Sequence, residues 1–138
     1  RLFAHADVSI LLETPPEVIA GSTRMGAGTA QKIAFNMLST LAAVKLGHVH
    51  DGYMVNLLSD NDKLRARAAR MVAEIAVVDV PEASRLLDAA SGSVKVAILL
   101  SAGAPDAQAA HAALVRSGGM LRPALAEFDE ITSFHKRA

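Results

Sequence analysis

A chain of 138 residues has room for one full-sized domain and not for two. Its 14 Lys and Arg cancel its 14 Asp and Glu, so no global field draws it to DNA, RNA or an anionic membrane, and nucleic acid is excluded as an expected partner. Hydrophobic residues reach 51% while aromatics stay at 4%, and 27 residues are Ala, a strong helix former, so the composition predicts helices packed through small side chains.

The lack of Cys excludes a disulfide framework, a zinc ribbon and a thiol nucleophile, and fits a reducing compartment, which makes the cytoplasm the expected location. Lys32, Asn36 and Lys45 interrupt the longest apolar stretch before the roughly 20 residues that a bilayer span requires. No membrane association is expected. The chain opens on Arg1-Leu2-Phe3 with neither a start Met nor a secretory pattern, and reads as a piece cut from a longer chain.

Val8-Ser9-Ile10-Leu11-Leu12, bounded by Asp7 and by Glu13-Thr14-Pro15-Pro16, has the pattern of a short buried strand. Nothing downstream matches it, so its partners are expected upstream or in another chain. The Gly/Ser/Thr loop from Gly21 to Thr29 follows, then a helix with Ile33, Ala34, Met37, Leu38, Leu41 and Val44 at helical spacing, capped by Thr29 and stopped by Gly47. His48 to Leu58 reads as a loop plus a short apolar element.

From Asp60 helix follows helix. Asp60 or Asn61 caps a segment with Leu64, Ala68, Met71, Val72 and Ile75 on one face and Lys63, Arg65, Arg67 and Arg70 around the other. Pro81 starts a second helix with Ala83, Leu86, Leu87 and Ala90 inward, Gly92 ends it, and Val94, Ala97 and Ile98 mark a third. Pro105-Asp106 opens another with Ala107, Ala110, Leu114 and Val115. Gly118-Gly119 ends that one, and Leu121, Ala124, Leu125 and Phe128 suggest a last short helix before a frayed tail from Ile131 to Ala138. The expected fold is mainly α, a bundle of five or six helices with one orphan amino-terminal strand.

The loop carries the most chemistry. Its glycines permit close backbone approach, Ser22, Thr23 and Thr29 offer hydroxyls, and Arg24 and Lys32 add positive charge beside a helix amino end that favours anions. Its spacing matches neither the dinucleotide fingerprint nor the nucleotide P-loop, and on spacing alone an ordinary strand-to-helix connection is the better reading. Elsewhere the bland readings are favoured: a surface turn for His48, His50 and Asp51 over metal ligation, and a solvated helix face for Arg65, Arg67 and Arg70 over an acidic partner. Met37 and Met71 read as core filler. His5, His111 and His135 are isolated, and Glu13 and Glu17 read as exposed loop acids rather than substrate ligands.

The string Gly21-Ser22-Thr23-Arg24-Met25, then Ala27-Gly28-Thr29-Ala30-Gln31-Lys32 and Asn36-Met37-Leu38-Ser39-Thr40, closely resembles the N-acetylmuramic acid 6-phosphate etherase family. The resemblance continues at Ala6-Asp7-Val8, Leu46-Gly47, Met54-Val55, Asn61, Lys63-Leu64, Val94-Lys95, Ala97-Ile98 and Gly118-Gly119, and so covers the chain to about Leu125. Glucokinase regulatory proteins share the Gly-Ser-Thr-Arg-Met element. The resemblance implies that residues 1–58 are the carboxy-terminal edge of a sugar-isomerase-type phosphosugar domain and residues 59–138 a small helical domain similar to ubiquitin-associated bundles.

It further implies a homodimeric lyase that releases D-lactate from N-acetylmuramic acid 6-phosphate and leaves N-acetylglucosamine 6-phosphate, during cell-wall recycling and with no metal or redox cofactor. The family's catalytic carboxylates lie upstream of the matched segment, so no catalytic residue is expected here and the chain alone is expected to be inactive. Ser22, Thr23, Arg24, Thr29 and Lys32 are the residues expected to line the pocket for the phosphorylated amino sugar. This chain departs from the family's usual wording at Gly26, where Lys is common, and at Asp51-Gly52-Tyr53. The alternative reading is a sugar-phosphate-binding regulator of the glucokinase-regulator type; recruitment of another protein by the helical part ranks below both.

Overall fold

The computed structural model describes residues 2–59 and 61–135, which fall into two compact units, Arg1–Ala42 and Ala43–Ala138. Among the described residues are six α-helices and one two-stranded antiparallel sheet, a mainly α fold.

The first unit opens on a single 3-10 turn, Leu2–His5, and continues irregularly until α1, Ala27–Lys45. The strand expected at Val8–Leu12 does not form. A strand needs a neighbour's amides and carbonyls, and no described segment supplies them, so these residues join no ladder and Val8, Ile10 and Leu11 stand exposed. The helix predicted after the loop is present, but it buries none of its residues. Ile33, Phe35, Met37, Leu38, Leu41 and Val44 all remain exposed, which removes the core-filling reading of Met37. A helix apolar around most of its circumference is of the kind that proteins normally bury.

The second unit holds the core. After Gly47, β1 (Val49–His50) pairs with β2 (Tyr53–Met54) through a turn on Asp51 and Gly52, both at positive φ. This Asp-Gly hairpin replaces the expected loop, and its dipeptide is the strongest short hairpin signal a sequence offers. The Tyr53 hydroxyl is hydrogen-bonded to Glu74, and that bond, then the charge of the carboxylate, holds its pKa above the usual phenol value.

Four helices follow, each opened by a side chain that accepts a first-turn amide. Asn61 caps α2 (Asp62–Ala76) by accepting from Leu64 N–H at 3.0 Å, while Asp60 lies outside the described residues. Asp79 caps α3 (Val80–Ala89), Ser93 caps α4 (Val94–Ser101) and Asp106 caps α5 (Ala107–Arg116), each accepting from the third residue on. Such caps stabilise a helix by about 1 kcal/mol each. The last helix, α6, runs Leu121–His135, so Ile131–His135 continue the helix where a frayed tail is expected; Lys136–Ala138 lie outside the described residues.

The central helix α4 packs against α2, α3, α5 and α6, and six of its eight residues are buried. Around it Ala68, Ala83, Ala97, Ala110, Ala113 and Ala124 are wholly buried, so the many Ala residues act as close-approach points between helices. Met71, Leu87, Leu121 and Phe128 fill the core as expected, whereas Val115 turns to solvent and Ala113 takes the inward position on α5. Arg65 pairs with Asp88 across α2 and α3; Arg67 and Arg70 lie with it on the exposed side or at its edge.

Helix α2 ends on Val77 in the left-handed conformation, φ 55 and ψ 48, with its side chain 88% exposed. A β-branched residue is poorly suited to that region and gains no burial there. Val77→Gly is expected to raise stability by about 1 kcal/mol, the steric relief exceeding the entropy Gly loses on folding. Urea unfolding followed by circular dichroism should show a higher midpoint at unchanged m-value; a lower midpoint would contradict this account.

Candidate functional site

Backbone amides at the start of α1 have no partner within the helix, and their satisfaction organises the loop before it. The Glu17 carboxylate reaches back from nine residues upstream. Gly26 N–H donates to both of its oxygens, at 3.1 and 3.0 Å, and Ala27 N–H donates to Oε1 at 3.2 Å. Gly28 N–H donates to the Thr23 carbonyl at 2.7 Å, and Ala30 N–H to the Gly26 carbonyl at 3.0 Å. A Cβ on residue 28 would stand 3.0 Å from that Thr23 oxygen, a tight contact that glycine avoids.

The structure therefore corrects two expectations. Thr29 is not the cap, because α1 begins two residues earlier and Thr29 lies exposed within its first turn. Glu17 is not a free loop acid: it is half-buried and takes the anionic place at the helix amino end that the sequence suggested for a phosphate. No local capping pattern announces it, since the acceptor is separated from its donors by the whole loop. A side chain at position 26 would begin 3.4 Å from Glu17 Oε1, so a Lys there would stand beside this carboxylate.

A cleft of about 550 Å³ adjoins the loop, lined by Glu17, Val18, Ile19, Ser22, Arg24 and Met25. Of the five predicted ligand residues, Ser22 and Arg24 line it together. Thr23 is exposed on the same loop, while Thr29 and Lys32, three apart on α1, are exposed on one helical face. An apolar groove of about 400 Å³ runs elsewhere in the first unit between Phe3, Ile10–Leu12 and the Ala27, Gln31, Ala34, Phe35 and Leu38 side of α1. It has no charged lining and offers no chemistry for a phosphate.

In the second unit Lys95 is buried on α4 and donates to the Gly119 carbonyl at 2.7 Å, at the carboxyl end of α5. Burial pushes its ammonium pKa below the ordinary lysine value. His50 Nε2 lies 3.5 Å from Asp51, on a strand rather than in a surface turn, and Arg122 also reaches that carboxylate. No three metal-capable side chains come together among the described residues. None of their helices is long and apolar enough to cross a membrane.

Fold and loop define a class: a mainly helical chain in which a hydroxyl- and glycine-rich bend feeds an apolar helix, joined to an alanine-rich helical core. No family model matches the chain. Curated relatives do. The N-acetylmuramic acid 6-phosphate etherase of Prochlorococcus marinus is 48% identical over 119 residues, 86% of this chain and 38% of that protein. That of Exiguobacterium sp. is 43% identical over 121 residues, 88% of this chain and 41% of the relative. That of Synechocystis sp. is 46% identical over 121 residues, 88% and 40% respectively. The chain matches the carboxy-terminal portion of N-acetylmuramic acid 6-phosphate etherases. It spans about two fifths of the length of these relatives.

Proposed function

We propose that the protein of which this chain forms the carboxy-terminal part is a carbon–oxygen lyase acting on N-acetylmuramic acid 6-phosphate. One observation carries the reading: identity above 40% across most of the chain to proteins named for that activity. The relatives do not favour the regulator alternative. A base removes a proton beside the ether carbon, an acid protonates the departing ether oxygen, lactate leaves, and water restores the sugar hydroxyl. Paired carboxyl groups suit that work, and we assign neither of them to this chain.

This chain contributes one wall of the sugar-phosphate pocket. Arg24 pairs with phosphate oxygens by charge-assisted hydrogen bonds, Ser22 donates its hydroxyl from the same cleft, and Thr23, Thr29 and Lys32 extend the polar rim. Residues 1–58 act with the phosphosugar domain and residues 59–138 form the ubiquitin-associated-like helical domain. The exposed apolar surface of α1 suits burial in a cytoplasmic homodimer. D-lactate release from N-acetylmuramic acid 6-phosphate by the full-length protein tests the reading. Arg24→Ala should lower kcat/KM by about 10- to 100-fold, the worth of a hydrogen bond to a charged group, with the circular dichroism spectrum unchanged. Full activity in that variant would remove Arg24 from the pocket.

A further inference from the structure

The Glu17 carboxylate ties the segment before the loop to the helix after it. It accepts three hydrogen bonds from the Gly26 and Ala27 amides, and Ser22, Arg24 and Met25, which share its cleft, lie inside the ring of chain that these bonds close. The closure is reinforced within the loop by Ser22 N–H donating to the Ile19 carbonyl at 3.1 Å and by Gly28 N–H donating to Thr23. A half-buried carboxylate on two amides at a helix amino end meets donors and the helix dipole at once, which fixes its position. Those bonds occupy the Gly26 and Ala27 amides, and the Thr23 carbonyl takes that of Gly28. Recognition of a phosphate by this loop then falls to side chains, Arg24 first, and their aim depends on the ring being closed.

We propose that Glu17 is a positioning residue of the phosphosugar site, holding the Ser22–Met25 segment shut by clamping the amino end of α1. The inference rests on the lyase reading for its functional consequence and on the hydrogen bonds alone for the clamp. A Gln at position 17 keeps the size but loses the charge and replaces the oxygen that takes the second Gly26 bond by an NH2 group, a donor facing a donor.

Two measurements on Glu17→Gln test the proposal. In the 138-residue chain, hydrogen exchange at the Gly26 and Ala27 amides should accelerate by about tenfold or more, while Leu64, Glu82 and Ala109, the amides capped in the helical core, keep wild-type rates. In the full-length protein KM for N-acetylmuramic acid 6-phosphate should rise about tenfold with kcat changed far less, and Glu17→Asp should recover part of the loss. A merely structural role would lower both amide protection and melting temperature throughout and leave KM alone. Unchanged exchange at Gly26 and Ala27 would overturn the clamp, and opened amides with an unchanged KM would overturn its role in positioning. A wild-type protein that releases no D-lactate would instead sink the lyase reading, and the clamp would still be decided by the exchange rates.

Discussion

Gly47→Ala should destabilise the second unit by about 2–4 kcal/mol, combining the strain of a left-handed L-residue with overpacking against backbone. Gly47 sits at φ 69 immediately after α1, and a Cβ there would stand 2.7 Å from the Gly119 carbonyl oxygen and 3.1 Å from the Met120 Cα. Neither neighbour is the free end of a flexible side chain. The Gly119 carbonyl also accepts from Lys95, so a shift to make room disturbs that bond as well. Gly52 provides the control. It has φ 84 with nothing near its missing Cβ, so Gly52→Ala should cost only the conformational part, about 1 kcal/mol. Thermal melts should separate the two variants by several degrees, since 1 kcal/mol shifts a domain of this size by about 4–8 °C. Equal melting temperatures would show that the contact with Gly119 carries no energy.

Leu99→Ala should cost about 3–5 kcal/mol, the upper part of the range for truncating a buried leucine. Leu99 is wholly buried on α4, the helix that packs against α2, α3, α5 and α6, and the core around that helix is built largely from alanines. Alanine side chains have no rotamers with which to swing into a void, so little of the cavity can collapse. Against a total stability of about 5–15 kcal/mol for a small domain, such a loss leaves a marginal fold. Urea unfolding should show the lower midpoint with the m-value retained. Val115→Ala, at a residue 68% exposed on α5, should fall within about 0.5 kcal/mol of wild type. A Leu99→Ala effect as small as that of Val115→Ala would mean that α4 is not the centre of the core.

The helical part of the fold could be read from the chain because its signals are local. Asn61, Pro81 and Asp106 lie at or beside the helix starts that their chemistry announces, since a cap or a proline acts within one turn. The Asp51-Gly52 hairpin has an equally local signal, but the segment reads as a loop when its dipeptide is not weighed as a hairpin turn. Val8–Leu12 shows the opposite case. Its residues favour a strand, but a strand is completed by a second chain segment, and without one the pattern has no structural consequence.

The candidate site divides in the same way. Ser22, Thr23, Arg24, Thr29 and Lys32 are proposed on the family string, since the loop's own spacing reads as an ordinary strand-to-helix connection; the structure brings Ser22 and Arg24 to one cleft. Glu17 was not identifiable, because a carboxylate that closes a ring of ten residues looks in sequence like any exposed loop acid.

Composition, periodicity and capping residues by themselves determined that this protein is mainly helical and where most of its helices begin, since each depends on interactions within a few residues. Only the tertiary structure decided that Glu17 occupies the amino end of α1, that Lys95 and Gly47 meet at Gly119, and that α1 keeps its apolar surface exposed. Those features depend on groups distant along the chain meeting in space, and a hydrogen-bond acceptor or a steric limit acts through distance in space rather than through position in the sequence.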